Sequence, residues 1–350
     1  MRAWLESEWE RRGGGALIFL PLALVHGAVV AARRWLYRHR LLPAWRADVP
    51  VVVVGNITAG GTGKTPLVLA VVEILRSHGF NPGVVARGYG RVPPREQDPR
   101  GVVRVLPDVA TPEHFGDEPV LIARRSQVPV YISPDRPAAA RELLADHPEV
   151  NVIVSDDGLQ HYALARDLEI AVVDGERRFG NGLLLPSGPL REPVSRLASV
   201  DAIVMNGGGA AVMRDVPHFA MALGGERFVA LTQGRQMAPD EFAAFARGQR
   251  VVAVAGIGNP PRFFEHLASL GLAARGIAFP DHHAFQAADL RLPDAQVIVM
   301  TEKDAVKCGA FADARMWVMR VEARVPDAFA DFLLTRLART RRSAHGSQAA

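Results

Sequence analysis

The chain has 350 residues, of which 49% are apolar and 22% charged. That is an ordinary globular composition, long enough for two domains at roughly 100–200 residues each. A formal net charge of +4 and a pI of about 9.6 favour an anionic partner such as nucleotide or anionic lipid. The single cysteine, Cys308, excludes an intramolecular disulfide and a cysteine-cluster metal site. Aromatics make up only 7% and do not interleave with the arginines, which argues against nucleic acid.

In chain order, the first element is Ala16–Ala32 (ALIFLPLALVHGAVVAA), with Arg11 and Arg12 before it and Arg33, Arg34, Arg38 and Arg40 after it. A cleaved signal, a membrane span, a buried core helix and an in-plane anchor all remain open. A span wants about 20 apolar residues, and Pro21, His26 and Gly27 interrupt this run. Trp35, Tyr37 and Trp45 beside the arginines favour the in-plane anchor.

Pro50–Gly55 (PVVVVG) reads as a buried parallel strand. From Lys64 to about Ser77, Leu67, Val71, Ile74 and Leu75 share a helical face, and Pro82–Ala86 reads as the next strand. Strands are expected at Val128–Ile132, Val152–Val154, Ile170–Val173 and Ala202–Met205, with helices at Pro119–Ser126 and Arg136–Asp146. The alternation implies a parallel sheet with helices on both faces. After Gly207–Gly209, strands at Phe228–Leu231, Val251–Ala255, Val297–Met300 and Trp317–Val321 suggest a second, smaller α/β unit. A terminal helix is expected over Asp327–Arg339, with an unstructured tail from Arg341. The expected divisions are 1–45, 46–220, 221–325 and 326–350.

Gly55–Pro66 (GNITAGGTGKTP) carries the strongest signal. Along Thr58, Ala59, Gly60, Gly61, Thr62 and Gly63 the glycines let backbone N–H groups curl around phosphate. Lys64 reaches the β- and γ-phosphates, and the Thr65 hydroxyl suits Mg²⁺. Thr58 stands where the strict pattern has its first glycine. Asn151–Asp157 (NVIVSDD) ends a strand in Asp156 and Asp157, the usual place for a Mg²⁺-side carboxylate.

Further polar, glycine-rich strings are ARGYGR from Ala86, GDEP from Gly116, SPDR from Ser133, DDGLQH from Asp156, GNGLLLPSGPLREP from Gly180, DHH from Asp281 and TEKD from Thr301. In this order they resemble the tetraacyldisaccharide 4′-kinase family, whose members phosphorylate the lipid A disaccharide precursor in Gram-negative bacteria. The resemblance runs from the apolar amino-terminal segment to about residue 325. It implies a P-loop NTPase-type three-layer α/β/α sandwich with a second, smaller α/β/α lid domain and an N-terminal membrane-associating helix. The active site of the family lies in the cleft between the domains. The resemblance also implies ATP and Mg²⁺, a tetraacyldisaccharide 1-phosphate glycolipid as acceptor and the cytoplasmic face of the inner membrane as location. No obligate protein partner is implied. By the same resemblance Asp117 matches a catalytic base, His282 its partner, and Asp156 and Asp157 the Mg²⁺-side pair. Tyr89, Glu118, Arg191 and Glu192 fall at positions associated with the site. Asp117 is expected from the first domain and His282 from the second.

Two rivals compete. A regulatory, switch-type ATPase or GTPase shares the phosphate loop, and Thr301–Asp304 is a near miss to a guanine-reading N-K-x-D, in which Asp304 would read the base. Ala59, where the dimerising ATPases carry an extra lysine, weighs against that group. A nucleic-acid-binding ATPase would use the high pI, but the apolar segment beside the arginines suits lipid better. Gly256-x-Gly258-Asn-Pro reads as a strand-to-helix turn, since no lysine follows.

Overall fold

The structure, a computed structural model, describes residues 8–9, 14–88 and 101–346. The chain forms two compact units, the first from residues 1–87, 128–222 and 323–350, the second from 88–127 and 223–322.

In the first unit the central strand Val51–Gly55 lies parallel between Val152–Asp156 and Leu168–Asp174. Beyond Val152–Asp156 come Pro82–Ala86 and then Val130–Ile132, and beyond Leu168–Asp174 come Ala202–Asn206 and the start of His218–Ala230. The central strands are buried on both faces, which is why they read as unbroken Val/Ile runs. Helix Lys64–Ser77 turns Leu67, Val68, Val71, Val72 and Leu75 inward at helical spacing. The strand expected at Val128–Ile132 begins only at Val130, since Pro129 lacks an N–H and contributes just its carbonyl, to Val84.

Segment 88–127 lies in sequence between Pro82–Ala86 and Val130–Ile132, two strands that pair directly. It can therefore leave the first sheet without disturbing it, and it folds with the second unit. The sequence reading assigns this segment to the phosphate-loop core. The C-terminal helix Asp327–Gly346 belongs to the first unit, where Phe329, Leu333 and Leu337 are buried and Phe329 meets Phe219 at 5.3 Å between ring centroids. It runs past Arg341, where a tail was expected, because residues 340–344 contain no glycine or proline to stop it.

The amino-terminal segment is a 3₁₀ turn, Gly14–Phe19, followed by the α-helix Leu20–Arg38. It docks through small residues. Ala16 and Ala23 are buried, and a Cβ on Gly27 would lie 2.8 Å from Leu184. Its large aliphatics Leu17, Ile18, Leu22, Leu24, Val25 and Val29 are 53–79% exposed. A buried core helix is therefore excluded.

In the second unit, strands Ala274–Ala278, Val251–Ala255, Val297–Thr301 and Met316–Arg324 run parallel in that order. Side chains alternate between two cores. Val251, Ala253, Val297, Val299 and Trp317 pack with Phe242, Phe263 and Leu267 from helices Pro239–Ala246 and Pro260–Ser269. Val252, Val254, Ile298, Met300 and Val318 face Ala305 and Cys308 of helix Glu302–Cys308. Asn259 caps helix Pro260–Ser269 by accepting from the Arg262 N–H, so Gly256–Pro260 is the strand-to-helix turn expected.

Candidate active site

The phosphate loop follows the central strand and is held by neighbouring polar groups. Asn56 donates to the Thr62 hydroxyl at 3.0 Å, and Asn206 donates to the Thr62 carbonyl at 3.0 Å. Arg177 donates to the Gly61 carbonyl. Gly63 has φ +90°, and a Cβ there would lie 2.5 Å from Asn206 Nδ2, so both conformation and space demand glycine. Thr58 forms an antiparallel bridge with Leu190, an arrangement that tolerates a side chain where the strict pattern has glycine. Helix Lys64–Ser77 starts at the lysine, so its N-terminus follows directly on the loop.

Lys64 is buried, donates to Asn56 Oδ1 at 3.2 Å and lies 3.5 Å from Asp157. Asp157 has φ +48°, an unusual conformation for a non-glycine residue. Arg191 Nη1 donates to both its carboxylate oxygens, at 3.0 and 2.8 Å. Burial opposes ionisation of Asp157, but the Lys64, Arg191 and Arg136 charges outweigh it and hold the carboxyl well below its usual range. Asp156 is buried at the strand end. Arg136, 1% exposed, donates to the carbonyls of Ser133 and Asp156 at 2.6 and 3.2 Å. Burial and the Arg136 and Arg87 charges push His161 down to about 3. Glu192 is buried too; it accepts from Gln160 at 2.9 Å and from the Tyr162 hydroxyl, with Arg196 3.7 Å away. These bonds make Glu192 a brace for the loop that carries Arg191.

Asp117 and His282 both lie in the second unit, whereas the sequence reading placed Asp117 with the phosphate loop. Asp117 opens helix Asp117–Ser126 and is 6% exposed. Its Oδ1 accepts from the Glu118 N–H at 2.9 Å, and His282 Nδ1 lies 3.0 Å from its Oδ2. Lys307 is 3.6 Å and Lys303 3.9 Å from Oδ2. Burial again opposes ionisation, yet the His282 hydrogen bond and the Lys303, His282 and Lys307 charges prevail and lower Asp117 to about 2. His282 has φ +61°, held there by its surroundings. Glu118 faces Lys303 Nζ at 3.3 Å. Arg125 donates to both oxygens of Glu302, at 2.6 and 2.7 Å, and so clamps the Asp117 helix to the helix bearing both lysines.

Thr301–Asp304 is a helix cap rather than a base reader. The Thr301 hydroxyl accepts from the Asp304 N–H at 3.2 Å. Asp304, 0% exposed, accepts from the Gly256 N–H at 3.0 Å, the Thr301 hydroxyl at 2.7 Å and Lys307 at 3.1 Å. A carboxylate so enclosed cannot reach a guanine edge.

Sequence reasoning missed Lys303, Lys307, Asp281, Asn56, Asn206 and Arg136. TEKD was visible as one of the family strings but had a job only in the rival reading, and Arg136 sat unassigned in SPDR. Tyr89 and Arg91 lie outside the described residues. Among the described residues no group of three or more His, Cys, Asp or Glu could by itself hold a metal ion.

A glycine loop ending in a buried lysine, on the central strand of a parallel sheet and beside a strand-end acidic pair, belongs to a P-loop enzyme that handles nucleoside triphosphate. The model of the LpxK family, tetraacyldisaccharide-1-P 4′-kinase, matches residues 15–338. The chain belongs to this family, and it is a kinase of lipid A biosynthesis. It is 47% identical over 340 residues to the tetraacyldisaccharide 4′-kinase of Methylobacillus flagellatus, covering 96% of each chain. It is 48% identical over 336 residues to that of Azoarcus sp., covering 95% of this chain and 94% of the other. The crystal structure of LpxK from Aquifex aeolicus in complex with ATP shares the fold, with a TM-score of 0.76, 24% identity and coverage of 92% of this chain and 99% of that one.

Proposed function

We propose that the chain transfers the γ-phosphate of ATP to the 4′-hydroxyl of a tetraacyldisaccharide 1-phosphate, with Asp117 taking the hydroxyl proton. The observation that carries this reading is the buried Asp117 carboxylate with one oxygen on a helix N–H and the other 3.0 Å from His282. Phosphoryl transfer needs positioning and charge stabilisation more than covalent chemistry, and an alcohol becomes a nucleophile once a base takes its proton. Lowered to about 2, Asp117 is ionised at neutral pH and ready to accept. Lys64 and the loop N–H groups hold the phosphates; Arg191 holds Asp157, the counter-ion of Lys64.

Asp157 is committed to Lys64 and Arg191. The Thr65 hydroxyl and the Asp156 carboxylate are hard oxygen donors, a set that suits Mg²⁺ and that would hold it on the phosphate side. Held there, Mg²⁺ would supply charge neutralisation for the phosphoryl oxygens. The exposed aliphatic face of Gly14–Arg38, a helix long and apolar enough to cross a membrane, continues into Arg33, Arg34 and Arg38. We place it in the cytoplasmic surface of the inner membrane, its aliphatics in the acyl boundary and its arginines among anionic headgroups.

The test follows labelled γ-phosphate from ATP, with GTP in parallel, to a purified tetraacyldisaccharide 1-phosphate in detergent micelles. Labelled glycolipid from ATP supports the reading. Hydrolysis of GTP without labelled lipid would return the chain to the switch-type NTPases.

A further inference from the structure

We infer that Lys303 is a positioning residue that holds His282 in the tautomer protonated at Nδ1, so that His282 donates to Asp117. The inference rests on the reading of Asp117 as the base. Lys303 Nζ lies within hydrogen-bond distance of Glu118 Oε1 at 3.3 Å and His282 Nε2 at 3.4 Å, with the carboxylates of Asp281 and Asp117 at 3.6 and 3.9 Å. An ammonium only donates, so the ring nitrogen facing it must accept. The proton of the neutral ring then sits on Nδ1, 3.0 Å from Asp117 Oδ2.

Asp281 supplies the opposing pull. Its Oδ2 is 3.7 Å from His282 Nε2 and would draw a proton there. Nε2–H on a neutral ring leaves Nδ1 bare, with a lone pair facing a carboxylate. Lys303 stands against both Asp281 and His282 and prevents that arrangement. Its own place is secured because its helix is pinned to the Asp117 helix through Arg125 and Glu302. The groups facing Asp117 are thus His282, Lys303 and Lys307, with Glu118 next to it on its own helix. Lys307 is balanced by Asp304 at 3.1 Å. Lys307 also lies 3.6 Å from Asp117 Oδ2, and Lys303 differs from it in standing 3.4 Å from His282 Nε2.

The test combines ring-nitrogen NMR of His282 with kinetics, in the full chain, for the wild type, Lys303→Met, Lys303→Arg and Asp117→Ala. The wild type is expected to show Nδ1 protonated and Nε2 accepting. In Lys303→Met, Nε2 gains a proton and kcat falls by about tenfold or more, a fraction of what general base catalysis supplies. KM for ATP stays unchanged. The acid limb of the kcat profile moves up by about one pH unit, since removing a cation raises a neighbouring carboxyl. Lys303→Arg recovers part of kcat, and thermal unfolding confirms that the variants fold. A wild-type ring protonated at Nε2, or a Lys303→Met variant with wild-type tautomer and pH profile, would overturn the inference. An Asp117→Ala variant with full kcat would instead overturn the base assignment, while the tautomer measurement still decides what Lys303 does to His282.

Discussion

The phosphate loop draws its groups from one stretch, Gly55–Thr65, and backbone geometry shapes it, with Gly63 at φ +90° and a helix N-terminus at its end. The Asp117 cluster draws on residues 165 positions apart in sequence, and side-chain charge shapes it: the carboxylates of Asp117, Glu118 and Asp281, the His282 imidazole and the Lys303 and Lys307 ammonium groups. Phosphate is a large, fixed anion that many weak N–H donors can cradle together. Proton transfer needs one atom at one place in one protonation state, which neighbouring charges can impose. The loop should therefore be sensitive to shape and the cluster to charge.

The largest effect is expected where that charge balance is buried. Asp304→Ala leaves the Lys307 ammonium without its 3.1 Å partner and the Gly256 N–H without an acceptor. It should destabilise the chain by about 3–5 kcal/mol, the cost of breaking a buried pair, read from the urea midpoint. Lys64→Ala should lower phosphotransfer about 10²–10³-fold, the usual cost of removing one charge stabiliser, with thermal unfolding close to wild type. Gly63→Ala, which changes no charge, should cost about 1–3 kcal/mol through the left-handed backbone and weaken nucleotide binding, measured by calorimetry. If Gly63→Ala bound nucleotide normally, the view of the loop as a backbone device would fail.

A further effect concerns pH. His161 titrates at about 3 in the folded chain against 6.5 for an ordinary histidine. Between those values the unfolded chain binds the extra proton, so stability falls as pH drops through that window. His161→Gln should flatten this loss in urea titrations from pH 7 to 4. Asp117 acts in the same sense at lower pH. Its carboxyl, lowered from 3.8 to about 2, contributes stability that is complete above pH about 4 and is lost as pH falls toward 2.

The contiguous region was the legible one. Helix Lys64–Ser77 and strands Pro82–Ala86 and Val251–Ala255 follow from periodicity and β-branched runs, and their observed limits agree with the reading. The loop residues follow from a motif whose physics lies in consecutive backbone. Asp117 and His282 were reached through family resemblance, because no spacing rule joins residues 165 apart. Their shared unit was hidden as well, since segment 88–127 looks like part of an uninterrupted βα alternation until Pro82–Ala86 and Val130–Ile132 are seen to pair. Lys303 stands in the TEKD string with no role of its own, Lys307 is not singled out, and Asp304 has a job only in the rival reading as a base reader. Their roles depend on which carboxylates the fold brings to them.

The most direct measurement is single-turnover transfer of the γ-phosphate of ATP to tetraacyldisaccharide 1-phosphate by the wild type and Asp117→Asn, with ATP affinity measured alongside. The substitution keeps the shape of the side chain and removes its charge. The account predicts a chemical step slower by about 10²–10⁴-fold at unchanged ATP affinity. A wild-type rate for Asp117→Asn, or a loss explained wholly by weaker ATP binding, would contradict it.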